Sequence, residues 1–202
     1  MKIKSVFEAF ISIILVLFIA DLKAEDLKRY KLKQAENLIH AFYSFDRQKL
    51  NKTLSTAQSS KPLILFYQGW ANGGNYKIVK RIPCVQTNTP DKNENVSISC
   101  SITVKDDLMK ALGVPFDVTD TFHLTFQKDT LTNVTTSSND LQVYRDAEDW
   151  VWSKRNVLVK DVCKGFFKGG LTPGECVKAM AKGYAEFARS EDFPKEVIFE
   201  QD

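Results

Sequence analysis

Residues 96–104 read VSISCSITV, five apolar side chains alternating with four hydroxyls. Strict alternation over this length belongs to a β-strand with one face on a core and the other toward water. Val96, Ile98, Cys100, Ile102 and Val104 must point inward together, because a slip of one residue would turn the whole set outward. A second strand precedes it. Tyr76, Ile78, Ile82 and Cys84 share one parity, Lys77, Val79 and Arg81 take the other, and Pro83 marks an edge or a bulge. The polar stretch 87–95 between them is a turn. Centring that turn near Lys92 sets residue 84 opposite 100 and residue 82 opposite 102. Both cysteines then meet on the apolar face, and a Cys84–Cys100 disulfide is expected. Two buried free thiols are the alternative.

Disulfides need an oxidising compartment, and the N-terminus points to one. Lys2 and Lys4 precede an apolar run of 11 residues, Phe10 to Ala20, followed by Ala24 and the charged stretch Glu25 to Arg29. This is the layout of a secretory signal peptide over residues 1–24. The run falls short of the ~20 residues that span a bilayer as a helix. Phe18 and Leu22, at the candidate −3 positions, are large for signal peptidase, so an uncleaved N-terminal anchor is the rival reading. The expected location is periplasmic or secreted, with no stable transmembrane span. The remaining cysteines, Cys163 and Cys176, flank Gly169-Gly170 and Thr172-Pro173-Gly174-Glu175, a helix stop followed by a capping-box start. Residues 145–168 and 172–190 read as an antiparallel helical hairpin that brings these cysteines together as a second disulfide.

The rest of the chain supplies helices and one more hairpin. Ala35, Leu38, Ile39, Phe42 and Phe45 make the apolar stripe of a helix over 26–46. A short helix follows over 47–57. A third begins near Pro62, carries Leu63 to Tyr67 and Trp70, and stops at Asn72-Gly73-Gly74. Residues 106–113 form another short helix with an acidic start and a glycine end. Phe122, Leu124 and Phe126 alternate with Thr121, His123, Thr125 and Gln127, and the chain turns at Lys128-Asp129 into a partner strand over 131–136. Residues 191–202 read as a loose tail.

AENLIHAFYSFDRQKLNKTL (35–54) and FHLTFQKDTLTNV (122–134) are similar to the opening helices and closing hairpin of the NTF2-like superfamily, also called SnoaL-like or cystatin-like α+β cone folds. The resemblance covers residues 34–136. It implies an α+β domain over 25–140, with N-terminal helices packed on a curved antiparallel sheet that leaves a conical pocket at one end. The helical hairpin, residues 141–190, would be a C-terminal addition. Tyr43, Tyr67 and Trp70 lie on the helices that would close the cone and are the expected ligand-binding residues, with plain core packing as their alternative.

Formal net charge is +3, from 28 basic and 25 acidic residues, with no basic stripe, so nucleic acid is not an expected partner. No HExxH, CxxC or GxSxG motif occurs, and no metal, cofactor or catalytic residue is assigned. His123 falls on the polar strand face and reads as a surface residue. His40 borders the first helix's apolar stripe, and Asp46 ends that helix. The leading expectation is an exported, non-catalytic domain binding a small apolar or amphipathic ligand or a protein partner, with a homodimer through the sheet face as the assembly it allows. Two alternatives stand beside it: a cofactor-free lyase or isomerase with an acid–base residue in the cone, and a subunit of a secretion-type envelope assembly.

Overall fold

The structure, a computed structural model, describes residues 3–89, 91–92, 95–164 and 174–197, with side chains from residue 23 onward. Helix α1 (Ile3–Tyr43) leads from the apolar N-terminal stretch into the domain. The expected signal peptide lies almost wholly outside the residues whose side chains are described. Residues 23–30 are exposed on every side of the helix, and burial begins at Lys31. From there Ala35, Leu38, Ile39, Ala41 and Phe42 enter the core, following the stripe read from the sequence. Gln68 terminates α1: its buried amide donates to the Ala41 and Phe42 carbonyls at 3.2 and 3.0 Å. Those carbonyls belong to the last turn, which has no partners within the helix.

Asp46 then caps α2 (Arg47–Thr53) by accepting from the Lys49 amide at 3.0 Å. Helix α3 (Lys61–Gly73) starts with Pro62 in its first turn, as expected. Ser60, just before it, joins the helices to the sheet. Its hydroxyl donates to Asn133 Oδ1 and accepts from the Val134 amide, both at 2.8 Å.

The fold is α+β with an open antiparallel sheet of five strands. These are β1 (Lys77–Arg81), β2 (Val85–Gln86), β3 (Asn95–Lys105), β4 (Val118–Gln127) and β5 (Thr130–Ser138). Their order is β1-β3-β4-β5, with β2 also pairing β3. Strand β3 alternates between buried and half-buried residues along nearly its whole length, with Val96, Ile98, Cys100, Ile102 and Val104 buried. Leu124 and Phe126 of β4 sit opposite Ile98 and Val96 on the same inner face. The outer face is a hydroxyl ladder, with Ser101 beside Thr121 and Thr103 beside Thr119, each pair 3.0 Å apart.

The first strand departs from the expected pattern. A bulge between Ile78 and Lys80 shifts the register, so Arg81 rather than Ile82 lies opposite Ile102. Ile78 and Ile82 are consequently exposed, together with Val79 and Val85, along the sheet edge. Beyond Pro83 the expected register returns, with Val85 opposite Ser99. The Cys84–Cys100 disulfide is present, its Cα atoms 4.3 Å apart. Glu36 of α1 holds this edge by accepting from the Cys84 amide at 2.7 Å and pairing with Arg81.

Helix α4 (Asp107–Leu112) is capped by Asp106, whose Oδ1 accepts from the Leu108 and Met109 amides, both at 2.8 Å. It ends at Gly113, whose φ of +70° is the left-handed conformation that favours glycine.

The expected single helix over 145–168 is two. Helix α5 (Gln142–Lys154) stops at Arg155, and a short α6 (Asn156–Val159) follows. Neither glycine nor proline marks the break. Arg155 instead leaves the helical conformation with its guanidinium 5.0 Å over the Trp150 ring and bonded to Glu186 at 2.5 Å. Tertiary contact overrides helix propensity here. Gly169-Gly170 and the capping residues Thr172 and Pro173 lie outside the described residues. Helix α7 (Gly174–Phe187) carries Cys176, which pairs with Cys163 at a Cα separation of 4.7 Å. The backbones of α5 and α7 approach so closely at Gly183 that any Cβ there would overlap Val151.

Residues of α5 and α7 share one hydrophobic core with α1, α3 and the sheet, so this region is part of the domain's packing. The expected loose tail is tethered over its described part. Asp192 accepts from the Trp150 indole at 2.7 Å, and the Phe193 ring lies 5.4 Å from Phe187. Phe193 is partly buried against the core, an apolar contact that works against the tail's ordering entropy. Among the described residues no helix is long and apolar enough to cross a membrane. The two disulfides fit an oxidising compartment.

Candidate functional site

The inner face of β4 is apolar at every position but one, from Val118 to Phe126. Phe122, Leu124 and Phe126 are buried, but the next position on the same side is Asp120. Opposite it, the inner row of β5 passes from Val134 to Thr136 and Ser138. At this end the sheet and the helices separate and enclose a cavity of about 510 Å³. Phe42 of α1, Phe66, Tyr67 and Trp70 of α3, Tyr76, and Tyr144 of α5 supply its aromatic walls. Asp120, Asp140 and Glu148 bring carboxylates into it, and Arg145 stands among them.

Each acid comes from a different local rule. Asp120 is placed by strand parity. Asp140 lies in the turn between β5 and α5, two residues after Ser138, which pairs with Asp120, and Glu148 stands one turn after Tyr144 on the same side of α5. Arg145 is engaged by its own helix, donating to Gln142 Oε1 at 2.9 Å and to the Asp140 carbonyl at 2.8 Å. The Trp70 indole donates to the Tyr144 hydroxyl at 3.2 Å, which ties α3 to α5 across the cavity wall.

Burial dominates the electrostatics. Desolvation pushes the Asp120 carboxyl up to about 7, with Asp140 and Asp106 adding repulsion and a hydrogen bond from Tyr43 opposing the shift. The Tyr43 hydroxyl donates to Asp120 Oδ2 at 3.1 Å. Burial and the Asp120 charge push the Tyr43 phenol far above its usual range, so the proton between them stays on the tyrosine. Burial also raises Asp140 and Glu148, each further raised by neighbouring acids or partly relieved by Ser138 and Arg145. Asp106 is pushed up to about 6, chiefly by burial. Tyr76 and Tyr144 are raised by burial as well and remain neutral hydrogen-bonding groups at physiological pH.

Of the three residues expected at a ligand site, Tyr67 and Trp70 line the cavity. Tyr43 stands behind Asp120 and reaches the site through that carboxylate. His123 is exposed on the outer face of the sheet, 2.9 Å from Ser137 Oγ, and His40 is exposed beside the Lys49 ammonium. Neither histidine takes part. None of the three acids carries a motif: Asp140 and Glu148 sit in a turn and on a helix, and only Asp120 belongs to a strand whose alternation is readable. There, an aspartate at core parity was the available signal. Among the described residues no group of histidine, cysteine, aspartate and glutamate is arranged to hold a metal ion. Set against family models, curated proteins and solved structures, the chain matches none of them.

Proposed function

We propose that this is an exported binding domain of the NTF2-like kind, whose pocket between α3, α5 and the inner face of the sheet takes a small amphipathic ligand. The observation that carries the reading is the cavity itself. Its volume of about 510 Å³ falls in the range of small-molecule sites, and its aromatic walls and few convergent polar groups match their usual lining. Helices preceding an antiparallel sheet, with the opening at one end of that sheet, support the NTF2-like reading. Mass spectrometry under native and denaturing conditions, on protein isolated from its own host, tests it. The expected result is a small additional mass that leaves on denaturation; bare protein, with no quenching or shift of tryptophan fluorescence by amphipathic compounds, would count against it.

One observation favours a second reading, a cofactor-free lyase or isomerase. Asp120 is a carboxyl poised near neutral pH inside the pocket and held by Tyr43, which is what a general base requires. The two readings separate on the recovered ligand. Unchanged compound after long incubation supports binding, whereas conversion that Asp120→Asn abolishes supports catalysis.

A further inference from the structure

We propose that the pocket's ligand is a small organic cation, an amine or quaternary ammonium on an apolar body, with its charged head among Asp120, Asp140 and Glu148. The inference rests on the binding reading above and adds the charge and chemical class of the ligand.

Three carboxylates from β4, the turn before α5, and α5 itself converge on one cavity. Like charges gathered out of water repel, and a cation among them relieves that repulsion. Arg145 is the one basic side chain among the lining residues, and its guanidinium is bonded to Gln142 and to a backbone carbonyl. With all acids ionised, the lining carries two more negative charges than positive ones. Asp106 adds its charge to the field felt by Tyr76 and Tyr144, and its Oδ2 is buried without a hydrogen-bond partner. An anionic ligand would meet this field head on.

The cation is organic rather than metallic. The acids are not grouped closely enough to ligate one metal ion. They are instead spread over a cavity whose other walls are Tyr67, Trp70, Tyr76 and Tyr144. Aromatic faces attract ammonium groups, most strongly where water is excluded, and they also accommodate an apolar body. Carboxylates and aromatic rings in one cavity therefore serve the two ends of the same molecule.

Isothermal titration of the purified full chain at pH 8 tests this with three probes of equal tail length: octyltrimethylammonium, octanol and octanoate. The ammonium should bind about tenfold or more tighter than the alcohol, with the carboxylate weakest. Asp140→Asn/Glu148→Gln, checked for an unchanged Tm, should lose about tenfold for the ammonium and keep its affinity for octanol.

The unsubstituted chain gives an independent reading. A cation favours the ionised acids, so its affinity should fall between pH 8 and pH 6 as Asp120 takes up a proton. The groups facing Asp120 during that step are Tyr43, Asp140 and Asp106, with Arg81 acting on Tyr43 and with Arg145 and Glu148 across the cavity. Octanol or octanoate binding as tightly as the ammonium would overturn the cation and leave a binding pocket standing. No binding by any probe would overturn both.

Discussion

The inner face of the sheet has two ends that differ in kind. Where Leu124 and Phe126 face Ile98 and Val96, every inward side chain is apolar and almost completely buried. Where Asp120 faces Ser138, the same row turns polar and the layers part. The strands are continuous through both ends, so backbone pairing does not set the difference. Side-chain chemistry does: a row of aliphatic and aromatic groups closes on itself, whereas a row interrupted by a carboxylate, with hydroxyls across from it on β5, leaves room for solvent or a ligand before Val118 closes the row again. The row is unbroken and apolar from Phe122 to Phe126, and its one polar inward position, Asp120, lines the cavity.

The largest effect should come from the packed end. Leu124→Ala removes a fully buried side chain with no room to relax and should cost about 3 kcal/mol in chemical denaturation. A loss under about 1 kcal/mol would mean that this end is not the tight one. Next come the disulfides. The sequence suggests that Cys100→Ser costs more than Cys163→Ser, because Cys100 lies in a core strand. The structure removes that reason, since Cys163 and Cys176 are as buried as Cys84 and Cys100. The loops they close are similar too, at separations of 16 and 13 residues. Breaking either pair should therefore cost about 2–4 kcal/mol, and losses differing by more than about 2 kcal/mol would show that one region unfolds apart from the other.

At the open end the sign reverses. Asp120 holds its proton more tightly in the folded chain than an ordinary aspartate does, so the unfolded chain carries fewer protons between about pH 4 and pH 7. Stability from this group is fullest at low pH and is lost as pH rises through that window. Asp120→Asn should accordingly raise stability at pH 8, on the order of 2 kcal/mol, and change it little at pH 4. A destabilising Asp120→Asn at pH 8 would place the carboxylate in the ordinary class of structural acids. The smallest effect belongs to Tyr43→Phe, which removes the hydrogen bond holding the Asp120 carboxyl down and should move its midpoint further upward.

Much of the packed end was legible in the residues. The alternation of VSISCSITV gave β3 and its inner face, and one assumption about the turn at Lys92 set Cys84 against Cys100. Local periodicity and capping carried α1, α3 and α4. The exceptions have something in common. The bulge at Ile78 and Lys80 and the break at Arg155 have no local sequence marker, and each lies beside a contact to a distant residue, Arg81 with Glu36 of α1 and Arg155 with Glu186 of α7. The pocket was the least legible part. Its acids come from three different places: the β4–β5 pairing sets Ser138 opposite Asp120 and brings Asp140 after it, while α5 carries Glu148 to the same cavity. An aspartate in an otherwise apolar strand row was the one local sign.

The most direct test is the titration of the Asp120 carboxyl carbon by nuclear magnetic resonance in the ligand-free chain. A midpoint near 7 would show a carboxylate withheld from water at the open end of the sheet. A midpoint near 4, as for an aspartate in water, would show that this end is solvent-filled and would contradict the division between a packed end and a binding end.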